Sequence, residues 1–177
     1  MLKFYLKFFI VITLICFSSF VNAQDCEADT CLLRITSGGS VNFRINSLNK
    51  YNDGVEYAQW TRLAVHFFDE LDATKTWKLE FKALSIQIHG DGGQNIDLGY
   101  ISLLAEDGGG ANGLSMYIQP EKQLEGNYQT LIEGAPQGDF DDNIIIISYK
   151  CGKGIDKLLN EPPGYYVVDI ELKLSAQ

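Results

Sequence analysis

Histidine is nearly missing from this chain of 177 residues, His66 and His89 being the only two. Neither has metal-ligand spacing to a cysteine, which excludes a zinc site built on such pairs. Positive charge is short as well, with 14 lysines and arginines against 23 aspartates and glutamates. A chain this acidic repels phosphates and anionic lipid heads, which excludes nucleic acid as a partner. No serine sits in a Gly-x-Ser-x-Gly elbow, and Cys151 lacks protease-like surroundings. The residue pattern therefore offers no catalytic constellation, and it predicts a protein that is not an enzyme. Helical patterning is scarce too, confined to short stretches around Phe68 to Thr74 and Ile155 to Asn160.

What is present begins with an address. Lys3 and Lys7 precede an apolar run from Phe8 to Phe17, and Val21-Asn22-Ala23 places small residues where a signal peptidase reads. This charged, apolar, small order predicts a secretory signal over residues 1–23, cleaved after Ala23. A retained membrane anchor fits less well, because spanning takes about 20 apolar residues and this run is interrupted by Ser18 and Ser19. A lipid anchor at Cys16 fits less well still, with bulky Ile15 before it. No later apolar stretch approaches spanning length. The expected localisation is secreted, extracellular or cell-surface, with the periplasm as the alternative. Residues 24–177 then make one domain, large enough for a core of its own. The leader takes two of the 14 basic residues and none of the 23 acidic ones, leaving 12 against 23 and a mature net charge of −11.

Cys26, Cys31 and Cys151 remain after cleavage, and an oxidising compartment favours pairing two of them. Cys26 with Cys31 would close a small loop. Cys31 with Cys151 would tie the first strand to a late one and constrain the unfolded chain more. Spacing leaves both pairings open.

From residue 31 onward the chain reads as strands. Thr61, Leu63, Val65 and Phe67 share one face of a period-2 pattern, as do Trp77, Leu79, Phe81 and Ala83, opposite Lys78, Glu80 and Lys82. Val168, Ile170, Leu172 and Leu174 alternate with Asp169, Glu171, Lys173 and Ser175. Alternation of this kind marks half-buried antiparallel strands. Ile144 to Ile147 is continuously β-branched and predicts a strand buried on both faces. Glycine, asparagine and aspartate clusters separate the runs, among them Ser37-Gly38-Gly39-Ser40, Gly90-Asp91-Gly92-Gly93 and Pro162-Pro163-Gly164. They supply the backbone angles that turns need. Eight or so strands without an internal repeat predict an all-β fold, a two-sheet antiparallel β-sandwich of the Ig-like or pilin-like kind.

Two stretches carry a resemblance. Thr76-Trp77-Lys78-Leu79, followed by alternating residues, resembles the first Trp-x-Leu element of WxL-type surface domains. Gly164-Tyr165-Tyr166-Val167-Val168-Asp169-Ile170-Glu171-Leu172 resembles their closing strand, and similar endings occur in pilin-like secreted sandwiches. In the WxL family the implied role is non-covalent attachment to the cell wall. Ile170 stands where the second tryptophan would be, so β-sandwich and surface character are what the resemblance implies here.

Candidate binding residues are aromatic: Trp60, set opposite the Thr61 face, and Tyr165 and Tyr166 at a turn could stack on sugar rings or a partner surface. Trp77 shares an apolar face and reads as core. Two oxygen-rich loops, Asp91, Asn95 and Asp97 and then Asp139, Asp141 and Asp142, are candidate calcium ligands, although neither has the twelve-residue helical loop pattern. Structural calcium is the one cofactor they suggest, and as turn formers they need none. The sequence thus predicts a secreted or cell-surface structural or adhesive module, pilus-like or part of a surface assembly. Its expected partner is a cell-surface protein or glycan, and the alternative function is a lectin-like carbohydrate-binding domain.

Overall fold

The computed structural model describes Cys26, residues 28–152 and residues 158–177. The leader over residues 1–23, the Cys16 alternative and the first half of the helical stretch from Ile155, residues 155–157, lie outside the described residues. Within them the fold is all-β. In chain order the strands are β1 (Thr30–Ser37), β2 (Phe43–Ile45), β3 (Val55–Phe68), β4 (Trp77–Ala83), β5 (Ile88–Gly90) and β6 (Asn95–Ile96). They continue as β7 (Ile101–Asp107), β8 (Lys122–Gln123), β9 (Gln129–Ala135), β10 (Gly138–Cys151), β11 (Gly164–Val167) and β12 (Ile170–Ala176). A short helix, α1 (Leu48–Asp53), lies between β2 and β3 and stops at Gly54, whose φ of 73° no side-chain-bearing residue adopts easily.

Pairing is antiparallel throughout the described strands and produces three sheets, ordered β1-β3-β10-β7-β8, β2-β11-β5-β6 and β12-β4-β9. One apolar cluster draws on all three. Leu63, Val65 and Phe67 of β3 reach it from the first sheet, Tyr166 and Phe43 from the second, and Trp77, Leu79 and Phe81 from the third. Burying each such side chain contributes about 1.5–3 kcal/mol. Trp77 is fully buried and donates its indole N–H to the Pro136 carbonyl at 2.7 Å, so its one polar atom is satisfied inside the core.

Several local expectations are corrected. Ile144 to Ile147 is not buried on both faces. Ile145 and Ile147 are fully buried while Ile144 and Ile146 are only partly covered, because β10 is central within its sheet but one face of that sheet is not packed over. The stretch after Phe68 forms a turn instead of a helix. The Asp69 carboxylate accepts from the Leu71 and Asp72 amides at 3.0 Å each and pairs with Lys75 at 2.7 Å, capturing donors a helix would have used. The last strand begins at Ile170, so Val168 and Asp169 form a crossing between the second and third sheets.

The disulfide joins Cys26 to Cys31, and the alternative pairing with Cys151 does not occur. Cys151 is a buried free thiol at the end of β10, and burial pushes its pKa up to about 12. Among the described residues no helix is long and apolar enough to cross a membrane.

Candidate functional site

Among the described strands β1 is the outermost of its sheet, hydrogen-bonded to β3 alone. Its Ile35 lies directly across from fully buried Leu63, so both side chains point to the core side. Ile35 is nonetheless 52% exposed. The reason is a groove of about 370 Å³ that opens beside it where a further layer of core would otherwise lie.

One wall of this groove is Ile35 and the segment 38–41; the other is Val167 to Ile170 with Leu84 and Leu172. Buried Phe43, Thr61 and Tyr149 form the floor. Aliphatic and aromatic side chains make up most of the lining, interrupted by Gly38, Gly39, Ser40 and Thr61, and Asp169 is the single charged residue among the described ones. A second hollow of about 260 Å³ continues past Leu84, Val167 and Asp169 to Ser85 and His89. The two hollows share Leu84, Val167, Val168 and Asp169.

The wall formed by residues 38–41 is held in place by three side chains of β3. Thr61 donates its hydroxyl to the Gly38 carbonyl at 2.5 Å, the Trp60 indole N–H donates to Ser40 at 2.9 Å, and the Tyr57 hydroxyl donates to Asn42 at 2.7 Å. The segment carries two glycines and no regular pairing, and these bonds supply the carbonyl partners that a sheet would otherwise provide. Tyr149 donates to the Thr61 hydroxyl at 3.0 Å, so the floor and the wall share one hydrogen-bond chain. Burial raises the Tyr149 phenol pKa, and the contact with Thr61 acts in the opposite direction.

The aromatic candidates separate. Trp60 is 43% exposed, but its N–H is committed to Ser40 and its ring packs 5.0 Å from that of Tyr57, behind the 38–42 wall. Tyr165 is 45% exposed on the outer face of β11, with the Arg44 guanidinium 5.1 Å from its ring centre. Tyr166 is fully buried, and its hydroxyl donates to the Pro162 carbonyl. Its ring therefore has no free face, which corrects the expectation that it stands open at a turn. Consecutive strand residues point to opposite sides, so with Tyr165 on the outer face of β11, Tyr166 turns into the core.

The oxygen-rich loops serve their own turns. Asp91 accepts from the Tyr165 amide at 3.1 Å, Asp97 caps Gly99 at 2.7 Å, and the Asn95 side-chain oxygen meets His89 at 3.0 Å. Asp142 accepts from the Asp139 amide at 2.8 Å, while Asp139 pairs with His66 at 2.5 Å, a contact that holds its carboxyl below the usual aspartate range. Asp141 is exposed. Among the described residues no three acids, histidines or cysteines converge as a metal site would require.

The groove residues Ile35, Val167 and Asp169 are absent from the sequence-based candidates. The alternation of Leu33 and Ile35 signals the core side of a strand, but nothing local signals that the cover over Ile35 is incomplete. Comparison with known proteins adds no identity: no protein family and no curated protein matches this chain.

Proposed function

We propose that this chain is an exported, non-enzymatic binding module of the cell surface, an adhesive or assembly component, and that it makes its contacts through the apolar groove beside β1. The five-stranded sheet forms one layer of a β-sandwich and the two smaller sheets form the other, a reading supported by the single apolar cluster common to all three. The observation that carries the functional reading is the groove's composition. Acid–base or nucleophilic catalysis needs convergent titratable groups. Here Asp169 is the one charged residue among the described lining of a groove whose side chains are mostly apolar, a surface suited to holding a partner by apolar contact.

A carbohydrate-binding function is the second reading. It is favoured by the outer face of the five-stranded sheet, where the His66 ring lies 5.0 Å from Phe68 and 5.4 Å from Phe140, and Arg34 sits 4.1 Å above Phe140. Rings beside polar groups can stack on a sugar face.

The test is fractionation of cells expressing the full chain, with mass spectrometry of the mature N-terminus and a soluble-glycan competition. Cleavage after Ala23 and retention with envelope material, unaffected by glycans, is the expected result. Recovery of an unprocessed chain inside the cell would overturn the export reading. Release by a specific sugar would shift the assignment to the second reading.

A further inference from the structure

We propose that the groove accepts an extended segment of a partner polypeptide, alternately apolar and carrying a lysine or arginine, which adds as a further strand along the open edge of β1. The proposal rests on the binding-module reading and names the occupant of that same site.

Three features select a polypeptide. First, β1 is eight residues long and, among the described residues, unpaired on its outer side, so it presents main-chain donors and acceptors that only another extended backbone matches at strand spacing. Natural edge strands are usually protected by shortness, charge or proline. Of the other edge strands, β2, β6 and β8 are only two or three residues long and β9 and β12 each carry a glutamate, whereas β1 has no proline, no acid and one basic residue, Arg34. Second, Ile35 points to the core side but is half exposed, and Val167 across the groove is 46% exposed. A strand laid on β1 would turn every second side chain into the groove and cover Ile35. Third, the 38–41 wall is pinned by the Thr61 and Trp60 bonds, so the groove is formed before any partner arrives and little ordering cost falls on this side.

The charge of the segment follows from Asp169, the only charged residue among the described lining of the groove, and from a mature chain bearing 12 basic against 23 acidic residues. A cationic side chain is steered toward this surface and an anionic one is repelled. A second copy of the chain fits worse, since it would bring the same excess of acid to the interface.

The test begins by panning a random decapeptide display library on the processed protein. The enriched sequence, made as a synthetic peptide, is then titrated against the wild type and against Ile35→Asp, Val167→Asp, Asp169→Asn and a distant control, Leu71→Asp. Alternating apolar peptides with a lysine or arginine are expected to emerge. Ile35→Asp and Val167→Asp should each weaken binding tenfold or more, as loss of one apolar contact implies. Asp169→Asn should weaken it about two- to fivefold, and Leu71→Asp should leave it unchanged. Hydrogen exchange should slow at the amides of β1 when peptide binds. Ile35 and Val167 are already part-exposed, so both variants should fold, and unchanged thermal unfolding checks this. The proposal is overturned if no sequence is enriched, if binding ignores both groove variants, or if the groove is occupied by a second copy, seen as a dimer that Ile35→Asp dissolves. Each of these outcomes leaves export and envelope retention to be judged separately.

Discussion

Gly38 lies against the backbone of Trp60 so closely that a side chain could not be inserted: a Cβ built there overlaps the Trp60 carbonyl. The φ of Gly38 is 67°, in the left-handed region. Two independent constraints therefore require glycine at the start of the groove wall. Gly38→Ala should destabilise the fold by at least about 1–2 kcal/mol from the backbone angle alone, with the overlap adding to it. Urea unfolding measures the loss. An unchanged midpoint would mean that the wall does not hold this position.

Thr61 and Tyr149 form a second testable unit. The Thr61 hydroxyl gives its proton to Gly38 and takes one from buried Tyr149. Thr61→Val keeps the shape but strands the Tyr149 hydroxyl, at a cost of about 1–3 kcal/mol. Tyr149→Phe in the same background removes the stranded group. The double variant should therefore be less destabilised than the two single losses added together, and a double-mutant cycle by chemical denaturation reads this directly. Strict additivity would argue that the two hydroxyls do not interact.

Acid should weaken the fold in a definite direction. Lys75 holds the Asp69 carboxyl below its usual range, Thr74 does the same for Asp72, His66 for Asp139, and Tyr128 with Lys82 for Glu171. Each is more acidic folded than unfolded, so each stabilises the protein above about pH 4, where unfolded carboxyls are ionised. That contribution is lost as pH falls through the lowered folded value. Unfolding free energy measured from pH 6 to pH 2.5 should fall with the steepest slope below about pH 4. Asp69→Asn keeps an acceptor for the Leu71 and Asp72 amides but loses the ion pair, and its slope should be shallower. A steeper slope would contradict the assignment.

The sequence made the strands legible wherever one face is packed and the other wet. In β4 the side chains of Trp77, Leu79, Phe81 and Ala83 go inward just as their spacing implies. Legibility fails where a side chain's role depends on distant strands. Ile145 and Ile146 are chemically identical neighbours, yet only the register of β10 between β3 and β7 buries one and leaves the other part-covered. The groove is the extreme case. Ile35 and Val167 are 132 positions apart in the sequence, on strands of two different sheets, yet both line it. The turn after Phe68 failed for a nearer reason, since aspartate captures backbone amides and ends a helix before it starts.

Cys151 offers a prediction whose sign is set by burial alone. Its thiol pKa is pushed up to about 12 because the thiolate would have to sit in the core without water. An unfolded cysteine ionises near 8.5. The neutral thiol therefore contributes stability that is fully present below about pH 8.5 and lost as pH climbs from there toward the folded value. At pH 8 the folded, processed protein should not react with a thiol reagent, because the reactive thiolate is both scarce and covered. Denaturation without reductant should release a single reactive thiol, since Cys26 and Cys31 are joined to each other. Rapid labelling of the folded protein would show that Cys151 is reachable from solvent and contradict its burial at the end of β10.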